Sequence, residues 1–322
     1  MKEVFLFLSK DGKTHIHAVR WIPEDGRYSA ILQITHGMVE FIERYEEFAL
    51  FLNRKGFMVV GHDHLGHGES VTTADDWGYF APENAAEILI EDMHTLRTVT
   101  QGENPGLPYF MLGHSMGALL LQKYIALHPG PEEGIGKLSG VIIMGTGFTE
   151  PRTSAMGIKV TDALAKVLGW RHHSTLVTLL AFNKCLRYDT SGKDPQRNWL
   201  SRDPESVRRY YSDPRCTFRF TLNGYKALFE TVFFVCRQEN VDPVPKDLPV
   251  LFVSGGDDPV GDCGRGVRRA AAMFRRAGIR DLKLKIYDGY RHEILNEAGR
   301  EQVCRDLLKW MKKRSGGMLR KD

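Results

Sequence analysis

A single serine between two glycines is the feature that most constrains this 322-residue chain. Residues 112–120 read LGHSMGALL, in which Gly113, Ser115 and Gly117 form the pattern G-x-S-x-G. Apolar residues before the pattern predict a strand, and the helical periodicity after it predicts a helix. Glycines allow so sharp a turn, because neighbouring segments pass where side chains would otherwise lie. The turn therefore presents the Ser115 hydroxyl at the carboxyl edge of a sheet, where α/β folds bind ligands.

Strand and helix patterns alternate through the first half of the chain. Strand-like runs such as AILQIT, FMVVGH and PYFML are separated by helical segments. This alternation is typical of an α/β fold with a mainly parallel central sheet and helices on both faces. The first residues, MKEVFLFL, predict a strand rather than a secretory signal peptide, because Ser9 and Lys10 end the apolar run.

The pattern changes after Gly147. Residues 148–240 contain helical patterns, including TLNGYKALFETVFFVCRQ, but no convincing buried strand, and the strand pattern returns with PVLFVSGG. We therefore expect a core assembled from residues 1–147 and 241–322, interrupted by a helical cap at residues 148–240.

Composition and charge exclude several functions. The net charge is +4 and the basic residues are spread along the chain, so we expect no nucleic-acid partner. Basic residues cluster only in the tail from 309 to 322, which predicts a solvated end or, alternatively, transient contact with an anionic membrane surface. The five cysteines are widely spaced and contain no CxxC pair, which favours a reduced, cytoplasmic protein. The sequence leaves the oligomeric state open.

The exposed serine requires a base. A serine hydroxyl is a weak nucleophile until a histidine, oriented by an acid, removes its proton. In the chain order serine, acid, histidine that accompanies this turn, the base follows Ser115. The histidines that do so are His128, His172, His173 and His292. Only His292 lies in a glycine-flanked loop after a late strand, so we predict that it is the base.

The acid and the oxyanion donors come from loops that follow other strands. Asp257 and Asp258 are both candidates for the acid, and Asp262 is a weaker one. The alternative for each is that its side chain only caps the backbone of its own turn. Two backbone N–H groups should stabilise a developing oxyanion. We expect them from Met116, directly after the serine, and from Met38, in the loop after LQITHG.

A histidine-rich loop raises the question of a metal. GHDHLGHGES contains His62, Asp63, His64 and His67, which are metal-ligating residue types at close spacing. Its three glycines and its position after a strand fit a tight loop beside the reactive serine just as well. We predict such a loop, with no metal and no other cofactor.

Together these motifs resemble the monoacylglycerol lipase and lysophospholipase group of α/β-hydrolases. The similar segments span nearly the whole chain: HGMVEFIERY, GHDHLGHGES, GHSMG, GGDDPV, GYRHEILNE and, in the cap, LSRDPESVRRYYSDP. The resemblance implies the α/β-hydrolase fold and favours Asp258 as the acid. It also implies the same nucleophile, base and oxyanion donors as the reasoning above, namely Ser115, His292, Met38 and Met116.

The HGMVEFIERY segment matches the family at some positions and departs from it at others. Glu40, Arg44 and Tyr45 match the family segment as supporting residues, although a helix-surface ion pair between Glu40 and Arg44 is the simpler explanation. Met38 and Val39 depart from the family, in which these positions are often small or glycine. This departure leaves the size of the leaving group open.

The resemblance implies a serine carboxylic-ester hydrolase that acts on single-chain lipid esters, as a lysophospholipase or a monoacylglycerol lipase does. Its partner would then be a small lipid or ester substrate. The same triad would serve an aminopeptidase or an acyltransferase. A catalytically silent α/β-hydrolase that only binds a ligand is the alternative from another class.

Overall fold

The central sheet has eight strands. The computed structural model describes residues 1–132 and 135–316. The strands are β1 (Lys2–Leu8), β2 (His15–Trp21), β3 (Ala30–Thr35), β4 (Phe57–His62), β5 (Tyr109–His114), β6 (Gly140–Met144), β7 (Val250–Gly255) and β8 (Leu282–Tyr287). They lie side by side in the order β1-β2-β4-β3-β5-β6-β7-β8.

The sheet is mainly parallel, as predicted. β1 and β2 form an antiparallel hairpin, β2 pairs antiparallel with β4, and all the remaining neighbours are parallel. β3, β4, β5, β6 and β7 are buried along their whole length, which explains their continuous apolar sequences. The carboxyl ends of these strands therefore meet at one edge of the sheet.

The described residues form ten α-helices. They are α1 (Glu46–Asn53), α2 (Ala85–Glu103), α3 (Met116–Leu127), α4 (Pro151–Leu168), α5 (Thr175–Ala181), α6 (Pro204–Ser212), α7 (Leu222–Val235), α8 (Gln238–Val241), α9 (Arg265–Arg276) and α10 (Arg300–Lys312). The described residues include no helix whose length and apolar character would let it span a bilayer. The end of the basic tail, with Arg320 and Lys321, lies outside the described residues.

Two apolar layers cover the two faces of the sheet. On β5, Tyr109 and Met111 pack with residues of α2, α3 and α9, whereas Phe110 and Leu112 pack with residues of α1 and α10. This alternation follows from the period of two along a strand. Helices on both faces therefore leave the carboxyl edge of the sheet as the place where loops gather.

Residues 148–240 leave the sheet after β6 and return to it before β7. They contain α4 to α7 and most of α8, and none of them belongs to a strand of the sheet. Within this cap segment α4 packs against α7, where Gly157 lies against the ring of Phe229. α7 also contacts α3, which starts at the reactive serine. The division into core and cap remains a proposal that these contacts support.

We predict that the two helical glycines Gly117 and Gly102 respond in opposite ways to replacement by alanine. A Cβ on Gly117 would lie 2.1 Å from the Thr35 carbonyl oxygen, so Gly117→Ala should lower the free energy of unfolding by about 1–3 kcal/mol. Gly102 has no atom within 4 Å of such a Cβ, so Gly102→Ala should raise it by up to about 1 kcal/mol. Urea unfolding of both variants measures the two changes. Equal stabilities would contradict the close packing of α3 on β3.

Candidate active site

Ser115 occupies a strained turn between β5 and α3. Its φ of 54° and ψ of −117° lie outside the regions that non-glycine residues favour, which costs on the order of 1–3 kcal/mol. Its backbone N–H donates to the Met144 carbonyl of β6 at 2.9 Å. A Cβ on Gly113 would lie 2.3 Å from the Gly117 carbonyl oxygen, so the two flanking glycines permit this bend. The turn exposes the hydroxyl at the carboxyl edge of the sheet.

His292 and Asp258 meet the serine from the loops after β8 and β7. The Ser115 Oγ lies 2.8 Å from His292 Nε2, and His292 Nδ1 lies 3.0 Å from the Asp258 Oδ2. The Asp258 carboxylate is buried and also accepts hydrogen bonds from the Val260 N–H and the Ser254 hydroxyl. These bonds fix the carboxylate, which in turn orients the imidazole toward the serine.

The other candidate acids and bases have different partners. Asp257 forms an ion pair with Arg202 at the surface, and Asp262 pairs with Arg265. His128 follows the end of α3 opposite to Ser115, and its ring contacts Glu91 and Glu132. The remaining two, His172 and His173, lie between α4 and α5 in the cap segment.

The two predicted oxyanion donors flank the serine. Met116 is the first residue of α3, whose N-terminus favours negative charge. Met38 follows Gly37, on which a Cβ would lie 3.0 Å from the Ser115 Cβ. Both methionines line the cavity that contains the Ser115 side chain. Their role as donors to an oxyanion remains a proposal.

Glu40 connects the loop of Gly37 and Met38 to His114 at the end of β5. One carboxylate oxygen accepts hydrogen bonds from the Gly37 N–H at 2.5 Å and the Tyr45 hydroxyl at 2.9 Å, and it lies 3.0 Å from His114 Nδ1. Burial alone would raise the pKa of Glu40, but His114 and Arg44 lower it to about 2. Burial alone would likewise lower the pKa of His114, and the Glu40 charge raises it. The carboxylate is therefore a buried anion beside the serine loop.

Arg44 connects Glu40 to the loop that contains His292. Its guanidinium donates to Glu40 at 2.7 Å and to both carboxylate oxygens of Glu293 at 2.7 and 2.8 Å. Glu293 directly follows His292. Only 3% of the Glu40 side chain and 12% of the Arg44 side chain are exposed, so this is a buried bridge rather than a helix-surface pair.

The predicted histidine loop is buried beside His36. The rings of His36 and His64 lie 4.3 Å apart, and all four histidines of this cluster, His36, His62, His64 and His67, have no exposed surface. Burial lowers the pKa of each, to about 4 for His64 and, with the charge of His64, to about 3 for His67. The cluster is therefore neutral near pH 7.

Among the described residues, two groups bring metal-ligating atoms within 4.8 Å of one another, and the histidine cluster is not one of them. They are His94, His128 and Glu132, and His17, Glu43 and Asp63. In the first group the imidazole planes are stacked, with 14° between them and centroids 4.2 Å apart. Stacked rings direct their nitrogen lone pairs along nearly parallel planes, which suits a shared metal ion poorly. In the second group the Asp63 carboxylate accepts backbone N–H bonds from Ile42 and Glu69.

A cavity of about 440 Å³ opens above Ser115, between the sheet edge and the cap segment. Apolar side chains form much of its wall, among them Leu119, Phe148, Phe182, Phe229 and Val232. Two larger surface grooves, of about 680 and 880 Å³, do not reach the serine. The reactive hydroxyl therefore faces a largely apolar enclosure.

Comparison with known proteins identifies the family. Residues 26–299 match the model of a family described as "Serine aminopeptidase, S33" (Hydrolase_4). The chain belongs to this family.

Relatives of this Hydrolase_4 member include monoacylglycerol lipases. It is 27% identical over 291 residues to a monoacylglycerol lipase of Mycolicibacterium smegmatis, covering 90% of each chain. It is 29% identical over 307 residues to the monoglyceride lipase of Homo sapiens, covering 92% of this chain and 86% of the human one. The chain therefore has the α/β-hydrolase fold and belongs to the monoglyceride lipase group of these hydrolases.

Solved structures agree with this assignment. A thermostable carboxyl esterase from Bacillus coagulans, in complex with glycerol, has a TM-score of 0.86 and 30% identity, and 97% of this chain and 98% of that chain are covered. The monoglyceride lipase of Saccharomyces cerevisiae, in complex with a substrate analog, has a TM-score of 0.74 at 20% identity, with 97% and 96% covered. The α/β-hydrolase is therefore a serine ester hydrolase.

Three side chains near the triad of this hydrolase were not predicted from the sequence: Glu293, Trp199 and Tyr210. The Trp199 ring lies 5.0 Å from the His292 ring, and the Glu293 N–H donates to the Leu200 carbonyl at 2.8 Å. Tyr210, on α6, donates its hydroxyl hydrogen to the Val39 carbonyl. Glu293 and Tyr210 both lie inside segments that carried the family resemblance, which is the only sequence feature that marked them.

We predict that His67→Phe makes the hydrolase less sensitive to acid. Because the folded pKa of His67 lies below its ordinary value of 6.5, this residue contributes stability above pH 6.5 that is lost as the pH falls. Between pH 7 and 5.5 the loss is about 1.3 kcal/mol for one such histidine. Phenylalanine should pack against Phe80 and Phe220, as the imidazole does.

The measurement is the free energy of unfolding in urea at the two pH values. The decrease from pH 7 to 5.5 should be smaller in His67→Phe than in the wild type by about 1.3 kcal/mol. An equal decrease in both proteins would contradict the neutral, buried state of His67.

Proposed function

We propose that this protein hydrolyses carboxylic esters of single-chain lipids, in the manner of a lysophospholipase or monoacylglycerol lipase, through an acyl-enzyme on Ser115. The observation that carries the proposal is the series of hydrogen bonds from Ser115 through His292 to Asp258. The Ser115 end of this series faces the largely apolar cavity. The lipase names of the relatives support the substrate class.

The first half of the proposed reaction forms the acyl-enzyme. His292 Nε2 takes the proton of the Ser115 hydroxyl as the oxygen attacks the ester carbonyl carbon. The backbone N–H groups of Met38 and Met116 stabilise the resulting oxyanion. The carbon–oxygen bond to the alcohol then breaks, and His292 gives its proton to the leaving alcohol. Asp258 stabilises the imidazolium that forms in between.

The second half releases the acid. A water molecule takes the place of the alcohol, His292 removes its proton, and the hydroxide attacks the acyl carbon. The bond to Ser115 breaks, and the serine oxygen recovers the proton from His292. No step of this cycle draws on a cofactor.

The cavity suits an acyl chain. Burial of each methylene group contributes about 0.8 kcal/mol, and aromatic and branched side chains from the cap segment supply the apolar surface. A cap that opens to admit a lipid also excludes water once it closes.

Aminopeptidase activity is less consistent with the cavity. A peptidase of this kind must bind a free ammonium group through a carboxylate. The cavity carboxylates Glu40 and Glu293 both pair with Arg44, while Glu150 pairs with Arg269. The remaining one, Asp262, also pairs with an arginine. Hydrolysis of esters rather than of aminoacyl naphthylamides is therefore the expected activity.

The test is a series of p-nitrophenyl esters from acetate to palmitate, followed by monoacylglycerol and lysophosphatidylcholine. We expect kcat/KM to rise with acyl length by up to about fourfold per methylene until the cavity is filled, because each methylene leaves water. Ser115→Ala, which keeps the packing, should show no turnover. A steep preference for acetate would overturn the lipid substrate, and full activity of Ser115→Ala would overturn the acyl-enzyme.

A second prediction separates the two adjacent aspartates. Asp258→Asn should lower kcat by up to about 10,000-fold, because an amide no longer holds His292 in the required tautomer. Asp257→Asn is the matched control, and it should leave kcat nearly unchanged because Asp257 pairs with Arg202 at the surface. Kinetics with one p-nitrophenyl ester compares the variants. Equal losses would contradict the role of Asp258.

A further inference from the structure

Val39 adopts a backbone conformation that is unusual for its side chain. Its φ is 56°, in the left-handed region that β-branched residues strongly disfavour. It directly follows Met38, whose N–H is one of the two proposed oxyanion donors. Only 8% of Val39 is exposed, and the residue lines the cavity of the serine. Such a conformation persists only where surrounding groups hold it.

Hydrogen bonds hold the loop on either side of Met38. On one side the Gly37 N–H donates to Glu40 at 2.5 Å, and the Gly37 carbonyl lies 2.8 Å from His36 Nδ1. On the other side the Val39 carbonyl accepts the Tyr210 hydroxyl at 3.0 Å. The contacts of Gly37 come from the core, whereas that of Val39 comes from α6 in the cap segment. The peptide that carries the Met38 N–H therefore lies between an anchor in the core and an anchor in the cap segment.

Tyr210 is itself held by the buried bridge. Its ring lies 4.8 Å from the Arg44 guanidinium, which binds Glu40 and Glu293. Tyr210 is 8% exposed, so its hydroxyl has little access to water as an alternative partner. Tyr210 is thus held against Arg44, which joins the loop of Met38 to the loop of His292.

We infer that Tyr210 is a positioning residue for the oxyanion hole, in which its hydroxyl holds the strained Val39 peptide and thereby directs the Met38 N–H toward the oxyanion. The inference rests on the proposed function, since it assigns a purpose to the amide of Met38. Because Tyr210 belongs to the cap segment, the oxyanion hole is complete only when α6 lies against the Val39 loop. Seating of the cap segment is then coupled to catalytic competence.

The position of Tyr210 gives this role a distinct kinetic signature. A donor that stabilises the oxyanion acts in the transition state, so misaligning it lowers kcat and leaves KM nearly unchanged. The misalignment also weakens the binding of an alkyl trifluoromethyl ketone, because the tetrahedral adduct of this inhibitor with the serine carries an oxyanion. A tyrosine that only shapes the cavity would change KM instead.

The experiment compares Tyr210→Phe with Tyr211→Phe in the full chain. Tyr210→Phe should lower kcat for a p-nitrophenyl ester about tenfold, which is a smaller decrease than removal of an entire oxyanion donor causes. It should weaken the binding of the trifluoromethyl ketone by a similar factor. Tyr211→Phe removes a hydroxyl from the same helix, where it contacts Asn198, and should change neither value appreciably. Equal kcat values in the two variants would overturn the inference.

A second background tests the strain directly. Glycine adopts a positive φ without penalty, so Val39→Gly should reduce the dependence of the loop on Tyr210. The loss of kcat caused by Tyr210→Phe should therefore be smaller in the Val39→Gly background than in the wild type. An equal loss in both backgrounds would contradict the role of the hydrogen bond.

These outcomes are distinguishable from failure of the proposed function. If no variant and no wild-type protein hydrolyses the ester, the proposed function fails, and the inference fails with it. If the wild type and Tyr211→Phe hydrolyse it while Tyr210→Phe shows an altered KM and an unchanged kcat, only the inference fails.

Discussion

The active site depends on one buried guanidinium. Arg44 binds Glu40, whose carboxylate holds the loop beside Ser115, and Glu293, which follows the proposed base His292. Two carboxylates are tolerated in this interior because a shared cation and several hydrogen bonds compensate for their lost hydration. Removing one partner of such a bridge costs about 3–5 kcal/mol, since an uncompensated charge remains buried. Arg44 and Glu293 are 249 residues apart in sequence, so the bridge holds two distant segments of the chain in one arrangement.

Local patterns were sufficient to predict much of the fold. The continuous apolar sequences of β3, β4 and β5 predicted a mainly parallel sheet, because strands buried on both faces need no polar positions. The turn at Ser115 could be recognised because its glycines stand where a Cβ would meet backbone atoms. β2 and α9 were not predicted. His15, His17 and Arg20 interrupt the apolar pattern of β2, and α9 is rich in arginine.

The site was predictable only where chain order restricts the choice. A serine at a sharp turn requires a histidine farther along the chain, and His292 is the one in a loop after a late strand; the structure places its ring 2.8 Å from the hydroxyl. Between Asp257 and Asp258 the preference for Asp258 came in part from the family resemblance, because both residues follow the same strand. The buried position of Arg44 had no local sign either, since a spacing of four residues from Glu40 fits a surface pair equally well. Its burial arises from Glu293 and Tyr210, which only the folded chain brings near.

Strain and burial act together around the serine. Ser115 and Val39 both have a positive φ, and they lie on the two loops that enclose the reacting position. Neither residue is glycine, so the surroundings must hold each backbone in place. The sheet does this for Ser115 through the Met144 carbonyl, whereas side chains of His36, Glu40 and Tyr210 hold the Val39 loop. The proposed nucleophile, Ser115, is therefore held by the core. The position of the neighbouring Met38 amide depends on the charged Glu40 and on Tyr210 of the cap segment. It is therefore the part of the site most sensitive to the position of the cap segment.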